Sequence, residues 1–190
     1  MADGSHITTG LRLATPIVED FAYLARRMRP DEIDQFLAFS GATEWSPDSA
    51  ARELLAKRGA SFVLVDPGNL PVVAGGFEPI SRGVVEAWML GTMDGWAEHW
   101  RRITTACRRQ MDAQCRRAAG GFRWRRSAAA GGGLMDGQFA SGGRRVRICA
   151  LASRTKTHEW YERGLGMQRE GVLRRYCADG SDAVMFSRIA

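Results

Sequence analysis

The chain has 190 residues and a mass of 21.0 kDa, which suits one sizeable core and is too short for two ordinary domains. Hydrophobic residues make up 45% and charged residues 25%, a balance that excludes a wholly disordered chain. The net charge of +6 is unevenly spread, because residues 101–147 hold twelve arginines against only Asp112 and Asp136. That stretch carries +10 and the rest of the chain −4, so we expect one strongly positive surface.

The sequence carries no pattern typical of a membrane span, a secretory signal or a zinc site. No apolar run approaches the ~20 residues of a membrane helix, and the first ten residues lack a basic region followed by an apolar one. The four cysteines form no CxxC pair and show no zinc-like spacing, so we assign no metal ligands. We expect reduced thiols in a cytoplasmic-type protein.

The first third of the chain predicts one strand and three helices. Apolar and polar residues partly alternate over residues 6–17, which indicates a strand. Gly41 is typical of a helix end, and Ser46 followed by Pro47 is typical of a helix start with a capping hydroxyl. Apolar residues at helical spacing then predict helices over three segments, 18–29, 31–40 and 47–58.

The middle of the chain predicts three strands and one long helix. Short turns separate the strands 61–66, 70–80 and 84–90, so we expect them to pair as an antiparallel meander. The helix is expected to begin after Asp94, as its cap, and to reach about Arg117. Paired arginines recur on it every seven or eight residues, nearly two turns, and so form a basic ridge: Arg101, Arg102, Arg108, Arg109, Arg116 and Arg117.

Residues 118–143 predict a flexible insertion. They contain eight glycines, and loops this long are uncommon in compact domains unless they are functional or disordered. Two interpretations stay open, a disordered surface loop or a segment that orders against a neighbouring protein. The insertion also extends the positive charge, through Arg123, Trp124, Arg125 and Arg126. The solvated face of a helix, an acidic protein partner or a nucleic acid would each explain this charge.

The last part of the chain predicts a strand, a helix and a final hairpin. We expect the strand over 144–151 and the helix over 155–164. Two further strands, 169–177 and 182–189, are joined by a turn at Asp179-Gly180.

The order of these elements resembles the fold of the Gcn5-related N-acetyltransferase (GNAT) superfamily. The segment RICALASRTKTHEWYERGLGMQREG, residues 147–171, is similar to its C-terminal motif of strand, helix and strand. The resemblance implies an α/β fold with a mixed, mostly antiparallel central sheet flanked by helices. It places residues 1–190 in a single domain that contains the Gly-rich insertion.

The GNAT resemblance also implies a site for acetyl-CoA. The family's pyrophosphate cradle, Gln/Arg-x-x-Gly-x-Gly/Ala, matches this chain at Gly95 and Ala97, with Thr92 where Gln or Arg is expected. The departures are Asp94, a carboxylate where phosphates would lie, and Trp96, a bulky residue in a loop that must approach them closely.

The resemblance makes Tyr161 the candidate general acid, which would return a proton to the leaving thiolate. The family pattern places a glycine four residues after this tyrosine, whereas here Gly166 follows it by five. One extra residue on an α-helix rotates a side chain by about 100°, so we expect Tyr161 to miss that position. No general base is evident, since Glu78 and Glu86 on the central strands could each face either the cleft or solvent, and no catalytic triad is indicated.

Three segments resemble a narrower group, the GNAT-like proteins of short-tailed phages related to internal virion protein A. They are MRPDEIDQF (28–36), AWMLGT (87–92) and WYERGLGM (160–167), within a likeness over residues 17–117 and 144–189. It implies a virion-associated structural or assembly protein, made in the host cytoplasm, with other virion proteins as partners and packaged DNA nearby. An active N-acetyltransferase acting on an amine or protein, with acetyl-CoA as cofactor, is the alternative.

Overall fold

The computed structural model describes residues 10–119, 146–153 and 155–189. The helices are α1 Val18–Ala25, α2 Pro30–Ser40, α3 Pro47–Ala56, α4 Met93–Ala119 and α5 Thr155–Glu159, which continues as a π-helical turn over Trp160–Gly164. The strands are β1 Arg12–Ala14, β2 Ala60–Val65, β3 Pro71–Ser81, β4 Val84–Gly91, β5 Arg147–Ala152, β6 Gln168–Leu173 and β7 Ala183–Ile189.

Seven strands form one sheet in the order β1-β2-β3-β4-β5-β7-β6. Every neighbouring pair is antiparallel except β4 and β5, which run parallel. Successive side chains of a strand point to opposite faces, so β2 supplies Val63 to one core and Phe62 to the other. Helices α1 and α3 cover the first face, and α4 with the π turn covers the second.

Local signals predicted several element ends correctly. The Ser46 hydroxyl accepts the amide of Ser49 at 3.3 Å, and Pro47 opens α3 as expected. Gly41 ends α2 in the left-handed conformation at φ 73°, where a side chain would be strained. The meander β2-β3-β4 also lies where the sequence places it. The final hairpin β6-β7 is present, but β6 ends at Leu173 rather than residue 177, because the chain turns at Arg175, which has φ 52°.

Three further predicted boundaries were wrong. The strand predicted over 6–17 is confined to Arg12–Ala14 within the described chain, since only these residues pair with β2. Helix α1 ends at Ala25 rather than residue 29, because Met28 forms an isolated antiparallel bridge with Thr92. The long helix begins at Met93 and its cap is Thr92, not Asp94, because the Thr92 hydroxyl accepts the amide of Gly95 at 3.0 Å.

The predicted insertion 118–143 lies outside the described residues, apart from the last two helical positions of α4. No described helix is long and apolar enough to cross a membrane.

Candidate functional site

A cleft opens where the two parallel strands part. β4 and β5 pair only from Val84 to Glu86, opposite Arg147 to Cys149, and then separate toward their carboxyl ends. A cavity of about 450 Å³ lies there, between β4, β5, α2, α4 and the π turn. The carboxyl ends of parallel strands at such a divergence are where ligands bind in open α/β sheets. We therefore take this cavity as the candidate site.

Helix α2 crosses the mouth of the cleft and is tied to both of its sides. On the β4 side, the Glu32 carboxylate accepts the Gly91 amide at 3.2 Å and the Trp96 indole N–H at 2.9 Å. On the β5 side, the Gln35 side-chain oxygen accepts the Ser153 amide at 3.3 Å. Further along, the Ala38 carbonyl accepts the Ala178 amide from the β6–β7 connection at 2.7 Å. The helix thus forms a strap over the site.

Glu32 is a largely buried carboxylate, with 13% of its side chain exposed, and Arg29 is its cationic partner. Its Oε1 lies 2.9 Å from an Arg29 guanidinium nitrogen, and that guanidinium sits 5.0 Å from the Trp96 ring centre. Burial raises the pKa of Glu32, while the Arg29 charge and the hydrogen bonds from Gly91, Arg29 and Trp96 lower it in part. Nothing local in the sequence marks Glu32 as part of a site, because Gly91 and Trp96 lie about sixty residues away along the chain.

Four amides of the β4–α4 turn, those of Gly91, Thr92, Met93 and Gly95, already have acceptors within the protein. Thr92 donates to the Val72 carbonyl at 2.9 Å and Met93 to the Arg27 carbonyl at 3.0 Å. Gly95 donates to the Thr92 hydroxyl, and Gly91 to Glu32. A phosphate at a helix N-terminus is held by amides that lack such partners.

Gly95 is explained by packing alone. A Cβ atom there would lie 2.5 Å from the Thr92 hydroxyl and 2.5 Å from a Val72 methyl group, so only glycine fits. Thr92 is buried and its hydroxyl is committed to capping, whereas Ala97 is exposed on the first turn of α4. The three residues matched to the pyrophosphate cradle therefore come together, but as a closed helix start.

This turn does not fit the pyrophosphate of CoA. Four of its amides are bonded to Val72, Arg27, Thr92 and Glu32, and Glu32 is itself a carboxylate, paired with Arg29. A diphosphate placed there would have to compete with Glu32 for these donors and would also meet the exposed Asp94 carboxylate.

The indoles of Trp96 and Trp160 close the space between α4 and the π turn. Their rings meet edge to face with centres 5.4 Å apart. The Trp160 indole N–H donates to the Thr104 hydroxyl at 3.0 Å, and that of Trp96 to Glu32. Both rings are thus fixed in place from two sides, and they join α4 to the π turn across the edge of the cleft.

Tyr161 faces the cavity despite the extra residue after it. The Leu165 amide donates to the Trp160 carbonyl at 3.0 Å, five residues back, so a π turn absorbs the insertion. The expectation that the added residue would rotate Tyr161 away was therefore wrong. Its ring is 7% exposed, lines the cavity and meets Phe186 at 5.3 Å. Burial chiefly raises its pKa, and the Glu32, Glu86 and Cys107 charges add to this.

Of the two candidate bases, Glu86 lines the cavity. Burial raises its pKa, Lys57 lowers it and Glu78 raises it. Glu78 instead holds Lys57 in an ion pair at 3.0 Å. Among the described residues, no three His, Cys, Asp or Glu side chains gather as metal ligands. The four cysteines are free, and burial raises the pKa of Cys107 to about 12, so it is no nucleophile at neutral pH.

The basic ridge lies away from the cleft, on the solvent face of α4. Five of its arginines are exposed: Arg101, Arg102, Arg108, Arg109 and Arg116. The side chain of Arg117 and the predicted partner-binding residues Arg123, Trp124, Arg125 and Arg126 lie outside the described part.

Solved acetyltransferases have the same fold. A GNAT-family acetyltransferase from Bacillus anthracis gives a TM-score of 0.62 at 11% identity, with 95% of each chain covered. A probable GNAT-family acetyltransferase from Chromobacterium violaceum gives 0.63 at 16% identity, covering 95% of this chain and 83% of its own. Spermidine N-acetyltransferase from Vibrio cholerae, in complex with CoA and spermine, gives 0.59 at 12% identity over 96% of both.

This likeness shows that the chain has the GNAT fold, with the mixed, mostly antiparallel sheet that the sequence predicts. No protein-family model matches the chain, and no curated protein matches it.

Proposed function

We propose that this chain uses the GNAT fold as a scaffold that does not bind acetyl-CoA, and that it serves as a structural or assembly protein of a phage particle. The observation that carries the first part is the closed β4–α4 turn. There the Glu32 carboxylate takes the Gly91 amide and the Trp96 indole N–H, the kind of donors that an anionic cofactor would need. A fold supports many functions, so the site rather than the fold decides.

Two further contacts support a closed cleft. Helix α2 is bonded to β4 through Glu32 and to β5 through Gln35, so a ligand entering from that side must first displace it. The edge-to-face pair of Trp96 and Trp160 occupies the space between α4 and the π turn. Opening the site would leave several buried donors without acceptors, each at a cost of about 1–3 kcal/mol.

The phage part of the proposal rests on the three sequence segments at 28–36, 87–92 and 160–167. In the structure these segments are neighbours around the cleft, as α2, the end of β4 and the π turn. The proposed partners are other virion proteins, and the proposed location is the virion, after synthesis in the host cytoplasm. Quantitative mass spectrometry of purified particles should detect the chain at a fixed copy number; its absence from particles and from assembly intermediates would contradict this part.

Thermal unfolding with added acetyl-CoA tests the scaffold proposal. A ligand that binds only the folded chain, at 100 times its dissociation constant, stabilises it by about 2.7 kcal/mol, which raises Tm by about 5–10 °C at this size. We expect no shift with 1 mM acetyl-CoA. A shift with acetyl-CoA but not with ATP would contradict the proposal, and a shift with both would indicate a general anion site.

A second candidate is an N-acetyltransferase acting on an amine, favoured by the orientation of Tyr161. Tyr161 of the π turn lines the cavity, where its phenol could donate a proton. Acetyltransfer to a panel of amines, measured with the wild-type chain and with Tyr161→Phe, tests it. Turnover that the variant loses at unchanged Tm would support the enzyme and exclude the scaffold.

A further inference from the structure

The two faces of the sheet carry helices of opposite charge. Residues 18–56, which form α1 to α3, hold eight acidic and four basic residues. On the other face, the segment of α4 from residue 101 to residue 116 holds five arginines and one acid, Asp112. Asp112 is already paired with Arg188 of β7, at 2.6 Å. Among the helices of the described part, the excess of positive charge therefore lies on α4.

The arginines of α4 form a straight array. At 100° per residue, all five fall within an arc of about 120° on the exposed side of the helix. At a rise of 1.5 Å per residue, the array from Arg101 to Arg116 is about 22 Å long. Within the described residues none of the five has a carboxylate within 4 Å, and Arg108 instead donates to the Arg163 carbonyl at 2.8 Å.

We propose that this array on α4, Arg101, Arg102, Arg108, Arg109 and Arg116, is a docking surface for the phosphate backbone of a nucleic acid. A line of unpaired guanidinium groups matches a linear polyanion, because each phosphate offers two oxygens to the guanidinium fork. Such contacts carry no base specificity, so the surface binds duplexes of any sequence. The array lies outside the cleft, so this inference does not depend on whether the cleft binds acetyl-CoA.

A second copy of the chain fits the array less well. Four of the eight carboxylates of residues 18–56 are already engaged within the molecule, three of them in ion pairs, Asp48 with Arg26 and both Asp31 and Glu32 with Arg29. The Asp20 carboxylate accepts the Ile17 amide. Charge that is already neutralised within the molecule adds little to association, whereas the array on α4 has no such neutralisation in the described part.

Fluorescence anisotropy with a labelled 24-base-pair duplex of arbitrary sequence tests the proposal, on the full chain between 50 and 300 mM salt. The variant is Arg101→Gln/Arg109→Gln/Arg116→Gln, which leaves the Arg108 hydrogen bond intact. The control is Arg58→Gln/Arg82→Gln/Arg174→Gln, three exposed arginines away from α4 with the same change in net charge. Both variants alter only exposed side chains, so each should unfold within about 2 °C of the wild-type chain.

We expect the wild-type chain to bind, with an affinity that falls steeply as salt rises. Loss of three phosphate contacts should reduce the slope of log K against log salt by about 2.7, and the affinity at 0.1 M salt by about two to three orders of magnitude. The control variant should bind like the wild type.

Four outcomes would overturn the proposal. The first two are no binding of the duplex at 50 mM salt, and an equal loss of affinity in both variants. The third is competition by polyglutamate as effective as competition by unlabelled duplex. The fourth is binding that is lost only when the arginines at 123, 125 and 126 are replaced. Salt-sensitive self-association that requires the array, without DNA binding, would assign the surface to a second copy instead.

Discussion

At the scale of single residues, Glu32 decides what the cleft can accept. It is an internal anion beside the first turn of α4, fixed by Gly91, Trp96 and Arg29. Glu32→Ala leaves two buried donors without an acceptor, so we expect a loss of about 1–3 kcal/mol in the free energy of unfolding. The vacated donors and Arg29 should then bind inorganic pyrophosphate, which calorimetry measures. Glu32→Gln retains an acceptor oxygen and serves as the control.

The contrary outcome for Glu32 is specific. The free energy of unfolding of Glu32→Ala could equal that of the wild-type chain, and pyrophosphate could stabilise both chains equally. The Glu32 carboxylate would then not be what closes the turn.

Glu86 predicts a dependence of stability on pH. Its pKa is raised in the folded chain, chiefly by burial, so the folded state holds the proton more tightly than the unfolded state. Its contribution to stability is therefore complete below about pH 4.5, the pKa of an ordinary glutamate, and is lost as pH rises through the folded value. In Glu86→Gln the stability should decrease less as pH rises, and Tm at pH 7 should increase by less than about 4 °C.

Thermal unfolding of the Glu86→Gln variant from pH 4 to pH 8 measures the effect. Glu53→Gln, an exposed carboxyl beside the same cavity, is the control. Parallel curves for the wild-type chain and the Glu86 variant would show that burial does not penalise this carboxylate.

At the scale of elements, the π turn sets the direction of Tyr161. It depends on Gly164, because a Cβ atom there would lie 2.7 Å from the Trp160 ring, which Thr104 holds in place. Gly164→Ala should destabilise the chain by about 1–3 kcal/mol, the usual cost of overpacking. In a Trp160→Leu background, Gly164→Ala should reduce the free energy of unfolding by less. Denaturant unfolding of the wild-type chain, the two single variants and the double variant measures that coupling. Additive effects would place the strain elsewhere.

Some ends of the helices are set by neighbouring residues and could be predicted from the sequence, and others are not. The cap at Ser46 and the end of α2 at Gly41 were predictable, because a hydroxyl or a glycine at a helix end acts within one turn. The cap of α4 was assigned to Asp94 rather than Thr92, since both residues are good caps and the choice depends on the bridge from Thr92 to Met28.

The site residues that the resemblance implies stay predictions, and the structure shows only where they lie. Tyr161 lines the cavity, whereas Thr92, Gly95 and Ala97 belong to the start of α4 and do not line it. The strap by α2 could not be predicted, because Glu32 and Gly91 are 59 residues apart and nothing local marks them as partners. The rotation of Tyr161 by the extra residue before Gly166 was predicted for an α-helix. It does not occur, because the chain forms a π turn there.

At the scale of the whole molecule, the fold separates two surfaces. The cleft lies at the carboxyl ends of β4 and β5 beneath α2, and the array of arginines lies on the outer side of α4. Each surface can therefore be tested with variants that leave the other unchanged.

The most direct test follows the signals of Gly91, Gly95 and the Trp96 indole by ¹⁵N–¹H NMR while acetyl-CoA is added to the wild-type chain. These three N–H groups are the donors that Glu32 and Thr92 occupy. We predict that the chemical shifts of these three groups do not change up to 1 mM acetyl-CoA and that their hydrogens exchange slowly with solvent. Saturable shifts in all three, with a micromolar dissociation constant, would contradict it and establish an open cofactor site.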